Sequence, residues 1–199
     1  MIEVRQAQPD DFPRVAELPH RSAADMYDRF AGGRERALRV LERSLAAPGN
    51  ASSAEVVWVA ALDGEVAAAM AAFPVDEAEA RARAFLRLAL RGARPWRWPV
   101  AMYLYWAGGR AAPSPPASAL YVDALATDPG FRRRGAARAL LAEAERGARE
   151  RRLPAVALDT TIANEPARRL YASEGFDEVA YRPPGRGLPG FVALVKPLA

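Results

Sequence analysis

The sequence predicts an α/β protein on a mixed sheet of about seven strands, with a central parallel pair and helices on both faces. Three observations predict it. Apolar runs at 120–127 and 155–159 are separated by a strong helical pattern, and strand–helix–strand spacing makes neighbouring runs parallel. Asp63-Gly64 sits between two strand-like runs as a two-residue hairpin signal. Two further strand-like runs, 176–181 and 190–195, close the chain and imply an antiparallel flank.

The elements follow in order. Residues 2–6 alternate like a short strand, and Pro9-Asp10-Asp11 opens a helix with acidic groups near its positive end. Helical spacing over 22–45 breaks at Gly32-Gly33. Residues 56–62 form a buried strand, and 65–73 the return strand, weakened by its many Ala residues. A helical insertion occupies about 76–117: one helix over 76–90, a short aromatic helix over 100–106, then a Pro-rich loop over 110–118. A helix over 135–151 packs through Leu140 and Leu141, and another over 165–173 stops at Gly175. One domain, 1–199, is expected.

Composition narrows the chemistry. With 51% hydrophobic and 26% charged residues, the 199-residue chain reads as globular rather than disordered. No Cys excludes disulfides, thiolate zinc sites and a cysteine nucleophile. A single His, His20, expected at the surface, argues against a His-rich metal centre or a His-dependent triad, so no metal is expected. The net charge of +4 comes almost wholly from Arg, which suits phosphorylated ligands without selecting one. Met1-Ile2-Glu3-Val4-Arg5 has no signal-peptide pattern and Arg interrupts every long apolar run. A cytoplasmic protein without membrane or nucleic-acid partners is expected, and the sequence leaves a homodimer open.

The segment from Thr127 to Arg138 follows a strand and opens a helix, whose first N–H groups point at whatever sits there. Gly135, Ala136 and Ala137 leave room for a phosphate to approach. Arg132, Arg133, Arg134 and Arg138 supply charge-assisted donors. The site suits a pyrophosphate, yet a merely solvated Arg-rich helix start has the same composition. Neither a Walker loop nor a Gly-x-Gly-x-x-Gly pattern is present.

Arg132-x-x-Gly135-x-Ala137, together with Asn164-x-x-Ala167-x-x-x-Tyr171-x-x-x-Gly175-Phe176 downstream, resembles the GNAT superfamily of N-acetyltransferases. The clear resemblance covers 118–182; 1–75 fits in outline, and 76–117 exceeds the minimal family connection. It implies a splay of the parallel pair that admits acetyl-coenzyme A (acetyl-CoA) as cosubstrate, and acetyl transfer to an amine of a small molecule or protein. The backbones of Leu125, Ala126 and Thr127 would pair with the pantetheine arm, and 133–138 would cradle the diphosphate. Asn164 would bond the pantetheine, cap the following helix, or do both. Tyr171 would protonate the leaving thiolate, or else serve as a core aromatic.

Asp123 and Asp159 are the candidate bases, one on each strand of the pair; either could instead anchor a substrate cation or pair with an Arg. Asp159, at its strand's exit, is favoured over Asp123. Strict alternation puts Asp123 on the face of Tyr121 and Leu125, opposite Ala124 and Ala126. The Ala126 amide is expected to hold the oxyanion. Trp96, Trp98, Tyr103, Tyr105 and Trp106 would line an acceptor pocket or form a satellite core. The competing readings are a catalytically silent coenzyme A-binding module of the same fold and a basic nucleic-acid-binding protein.

Overall fold

The computed structural model describes residues 1–22, 24–108, 113–185 and 188–198. Its seven strands are β1 (Ile2–Gln6), β2 (Val57–Leu62), β3 (Glu65–Pro74), β4 (Ala119–Thr127), β5 (Ala155–Thr161), β6 (Asp177–Arg182) and β7 (Phe191–Pro197). They form one sheet in the order β1-β2-β3-β4-β5-β7-β6. All neighbours are antiparallel except β4 and β5. The hairpin at Asp63-Gly64 forms as expected: φ is 52° at Asp63 and 87° at Gly64, the two positive values of a turn that matches strand twist.

Helices α1 (Phe12–Ser22), α2 (Ala24–Ala31), α3 (Arg34–Ala46), α4 (Val75–Gly92) and α5 (Trp98–Gly108) precede β4; α6 (Ala136–Glu150) and α7 (Glu165–Ser173) follow it. Pro9–Asp11 is a 3-10 turn rather than the first turn of α1. The expected loop over 110–118 falls partly on 110–112, outside the described residues.

Two apolar layers cover the sheet. On one face Leu140 and Leu141 of α6 and Tyr171 of α7 pack against Leu120, Val122, Val156 and Leu158. Burying a Leu side chain contributes ~1.5–3 kcal/mol, so α6 is held chiefly by this contact. On the other face Val15 of α1 and Leu41 and Leu45 of α3 pack against Val59, Ala69, Ala71 and Ala126. His20 lies inside this helical layer rather than at the surface: it is 3% exposed, and its Nε2 sits 2.8 Å from Asp28 Oδ1. The α1–α2 packing that encloses it is not encoded in the residues beside it.

The insertion of α4 and α5 joins β3 to β4. α5 turns its small residues inward, with Ala101 and Ala107 at 0% and 3% exposure. Trp98, Met102, Tyr103 and Trp106 face outward, and Trp96 just before the helix is exposed as well. Of the aromatics over 96–106 only Tyr105 is half-buried, and none is among the described residues that line the cavity described below.

Gly190, just before β7, is where a side chain cannot be accommodated. A Cβ there would run into Ile162 Cδ1 and lie 2.8 Å from Pro184 Cδ and 3.0 Å from the Arg182 carbonyl oxygen. Gly190→Ala is expected to destabilise by about 1–3 kcal/mol, read as a lower midpoint in urea unfolding; an unchanged midpoint contradicts this packing.

Candidate active site

β4 and β5 pair in register only from Ala119↔Ala155 to Val122↔Leu158. Beyond that the strands part. β4 runs on from Asp123 to Thr127 against β3 alone, and β5 from Asp159 to Thr161 against β7 alone. A bulge marks the point of parting: Ala72 pairs with Val122 and Ala71 with Ala124, leaving Asp123 as the extra residue of β4.

The bulge overturns the alternation read from the sequence. Leu125 joins the core beneath α6, whereas Ala124 and Ala126 face α1 and α3. Asp123 lines a cavity on that second side, together with Ala124 and Ala126. Its side chain is solvent-exposed, but in a recess of the surface.

The bulge also leaves backbone groups facing a gap. Asp128 N–H donates to the Ala67 carbonyl at 2.9 Å. Antiparallel ladders alternate, so Ala126 and Ala124, opposite Ala69 and Ala71, turn their amides to β3 as Asp128 does. Leu125 and Thr127 turn theirs the other way, towards the gap. The Ala126 amide, expected to hold an oxyanion, is thus spent in the sheet; Leu125 presents the free one. Backbone groups without a strand partner must bond water or a ligand.

At the end of β4 the chain is tied down through Asp128. Its carboxylate accepts the Gly130 amide at 2.8 Å and Arg14 and Arg21, each at 3.0 Å, so α1 holds the turn that follows β4. The loop then passes through positive φ at Arg133 (61°) and at Gly135 (88°), which precedes the first turn of α6. Gly135 is required by this geometry. A Cβ would be strained at that φ and would also sit 3.2 Å from Ile2 Cδ1. The amides of Ala136, Ala137 and Arg138 have no intrahelical acceptor, and positive φ before them helps form an anion-binding concavity. Arg132 and Arg133 are exposed and make no ion pair among the described residues. Arg134 lies 3.9 Å from Asp63 and over the Phe131 ring, and Arg138 bonds Glu174 at 2.5 Å.

α7 supplies the other wall. Asn164 caps it: Oδ1 accepts the Ala167 amide at 3.4 Å, and Nδ2 donates to Thr160 Oγ1 at 3.2 Å. The helix ends in a Schellman motif, with Phe176 N–H on the Tyr171 carbonyl at 3.0 Å and Gly175 N–H on Ala172 at 3.1 Å. Gly175 has φ 83°. The Phe176 ring lies 5.9 Å from that of Tyr171 and pins it. Tyr171 is 6% exposed, and its hydroxyl has no hydrogen-bond partner among the described residues.

The electrostatics of this corner are unusual. Asp123 keeps one side open to solvent, yet crowding by protein in the recess pushes its pKa up to about 7, with repulsion from Asp159 adding to the effect. Asp159 is raised too, by burial, partly offset because the Tyr121 hydroxyl donates to its Oδ2. Burial lifts Tyr171 to about 12, helped by Asp159, and Tyr27 to about 12, helped by Asp123. Tyr121 rises well above 10, from burial and then both carboxylates. Neither Tyr121 nor Tyr27 stands out in the sequence: Tyr121 reads as one aromatic in a strand, and Tyr27 as one on an amphipathic helix. An aromatic two residues before an acidic bulge residue is visible only once the bulge is known. Among the described residues no cluster of His, Cys, Asp or Glu is arranged to hold a metal ion, and no helix is long and apolar enough to cross a membrane.

A sequence profile of the acetyltransferase (GNAT) family matches residues 24–176. The chain belongs to this family and is an acyltransferase. Solved structures share the fold. An N-acetyltransferase from Staphylococcus aureus Mu50 is 20% identical over 97% of this chain and 99% of its own, with a TM-score of 0.73. An acetyltransferase is 20% identical over 99% of this chain and 100% of its own, with a TM-score of 0.69. A chain of the NatC complex, solved bound to Gag peptide and CoA, is 13% identical over 100% of this chain and 99% of its own, with a TM-score of 0.60. No curated protein matches significantly.

A raised carboxylate pKa has a consequence for stability. Between the unfolded value near 3.8 and about 7, the folded protein holds a proton on Asp123 that the unfolded chain releases. Stability from this group is therefore full below about 4 and lost as pH rises to about 7. Asp123→Asn is expected to raise the melting temperature at pH 7–8, with the gain shrinking towards pH 4. A gain independent of pH, or none, contradicts the environment described.

Proposed function

We propose that this acyltransferase moves an acetyl group from acetyl-CoA to a primary amine by direct attack, within a single catalytic domain of residues 1–199. The observation that carries the reading is the unpaired stretch of β4 opposite β5, which leads straight to the N-terminus of α6. The gap offers an extended amide-bearing edge to a pantetheine arm, at Leu125 and Thr127 in particular. The α6 amides and the open guanidinium groups of Arg132 and Arg133 suit a diphosphate. Arg134 and Arg138, already paired, form the rim, and Asn164 borders the gap from the α7 side. Acetyl-CoA brings the activated thioester; this chain's residues orient it and handle protons.

In this reading Asp123, not Asp159, takes the proton from the attacking amine. Asp159 already accepts the Tyr121 hydroxyl, whereas Asp123 opens on the cavity and titrates near neutral pH. The amine nitrogen bonds to the carbonyl carbon, and the oxyanion meets the free Leu125 amide. On collapse the carbon–sulfur bond breaks and the Tyr171 hydroxyl gives its proton to sulfur. Its high pKa keeps that proton in place at neutral pH.

Two experiments test the reading. Acetyl-CoA is expected to raise the melting temperature of the wild-type protein and to leave that of Ala137→Glu unchanged. A Glu in the first turn of α6 is compatible with the helix dipole, so the free variant stays folded while its charge and bulk exclude a diphosphate. Equal acetyl-CoA stabilisation of both proteins refutes the assigned loop. With a turned-over amine, Tyr171→Phe is expected to lower kcat about 10–1000-fold with acetyl-CoA affinity kept. Unchanged turnover, with chemistry limiting, makes Tyr171 a packing residue.

A further inference from the structure

We infer that the acceptor is a compact amine with an apolar body, its amino group at Asp123 and its hydrocarbon in the cavity between α1, α3 and the alanine-lined face of the sheet. This rests on the acetyltransferase reading above. The cavity has a volume of about 50 Å³ and opens to solvent at its mouth. That exceeds the ~10–15 Å³ a single water needs and admits the hydrocarbon end of a small amine.

Its origin is in the sequence. β3 and the distal part of β4 present Ala69, Ala71, Ala124 and Ala126 to the helical layer, where larger strand residues would close the space. Val15 and Leu45 form the opposite wall. Asp123 carries the only charge among the described lining residues, and Tyr27 and Ser52 are the only other polar side chains there. The carboxylate stands at the recess where the solvent-exposed strand edge meets the apolar interior.

This arrangement discriminates between amines. One ammonium finds one carboxylate. A second ammonium or a run of hydroxyls would leave water for an apolar wall with no partner, which is costly. A peptide backbone would likewise bury unpaired amides. Hydrocarbon gains from the same wall, by about fourfold in affinity per methylene buried.

The test measures thiol release from acetyl-CoA by the full chain across propylamine, butylamine, hexylamine and phenethylamine, against spermidine, kanamycin and a tetrapeptide with a free N-terminus. Protection by acetyl-CoA against heat is measured alongside. The expected result is a kcat/KM that climbs about fourfold from propylamine to butylamine and levels off beyond it as the cavity fills, with the polar acceptors at least ~10-fold lower than butylamine. Ala69→Leu, which adds bulk to the cavity wall, is expected to remove the about fourfold preference for butylamine over propylamine; Ala124→Leu serves if Ala69→Leu fails to fold. Polar acceptors matching or exceeding the apolar ones, or acetyl-CoA protection with no turnover of any apolar amine, overturn the inference and leave the acetyl-CoA site standing. No protection by acetyl-CoA removes the acetyltransferase reading itself, and the acceptor class with it.

Discussion

The chemistry of this protein depends on the place where β4 stops pairing with β5. Had the ladder continued past Val122 and Leu158, the sheet would be closed and no amide of β4 would be free. The bulge at Asp123 does three things at once. It turns β4 out of the ladder, frees the edge amides of Leu125 and Thr127, and rotates Ala124 and Ala126 to the helical side. An unpaired inner edge is costly in a folded protein unless water or a ligand completes it. The neighbouring ties, Asp128 to Arg14 and Arg21, hold the open strand in place from beyond the gap.

The same corner sets the proton chemistry. Two carboxylates flank the gap, and they differ because only one has a hydroxyl donor. Tyr121 engages Asp159, which keeps that carboxylate turned to the protein. Asp123 faces crowding and a like charge without such help, and so is shifted to about 7. Tyr171, buried and pinned by Phe176, is raised by burial as well and holds its proton. Residue type already separates the carboxylate from the phenol, and burial raises both, so that Asp123 exchanges its proton near neutrality while Tyr171 keeps its own.

Short-range features were legible in the sequence. Asp63-Gly64 specifies its turn because the backbone signs needed there are local. Asn164 and Gly175 bracket a helical run, so the cap and the end of α7 follow from their spacing. Long-range features were not. The bulge exists only in the register of β4 against β3, so alternation grouped Asp123 with Leu125 and separated it from Ala124 and Ala126. Tyr121 reaches Asp159 across 38 positions of chain, and His20 is enclosed by helix packing. The alanines that weaken β3 as a strand signal are the residues that leave the cavity open, a link visible only once α1 and α3 are laid over them.

The central claim is that acetyl-CoA completes the edge that β5 abandons. Residue-resolved amide hydrogen exchange, with and without acetyl-CoA, measures this directly. The account predicts that Leu125 and Thr127 exchange readily in the free protein and gain protection on binding, while Ala124 and Ala126, already bonded to β3, change little. Protection that leaves Leu125 and Thr127 untouched, or that falls on Ala124 and Ala126 instead, would contradict it.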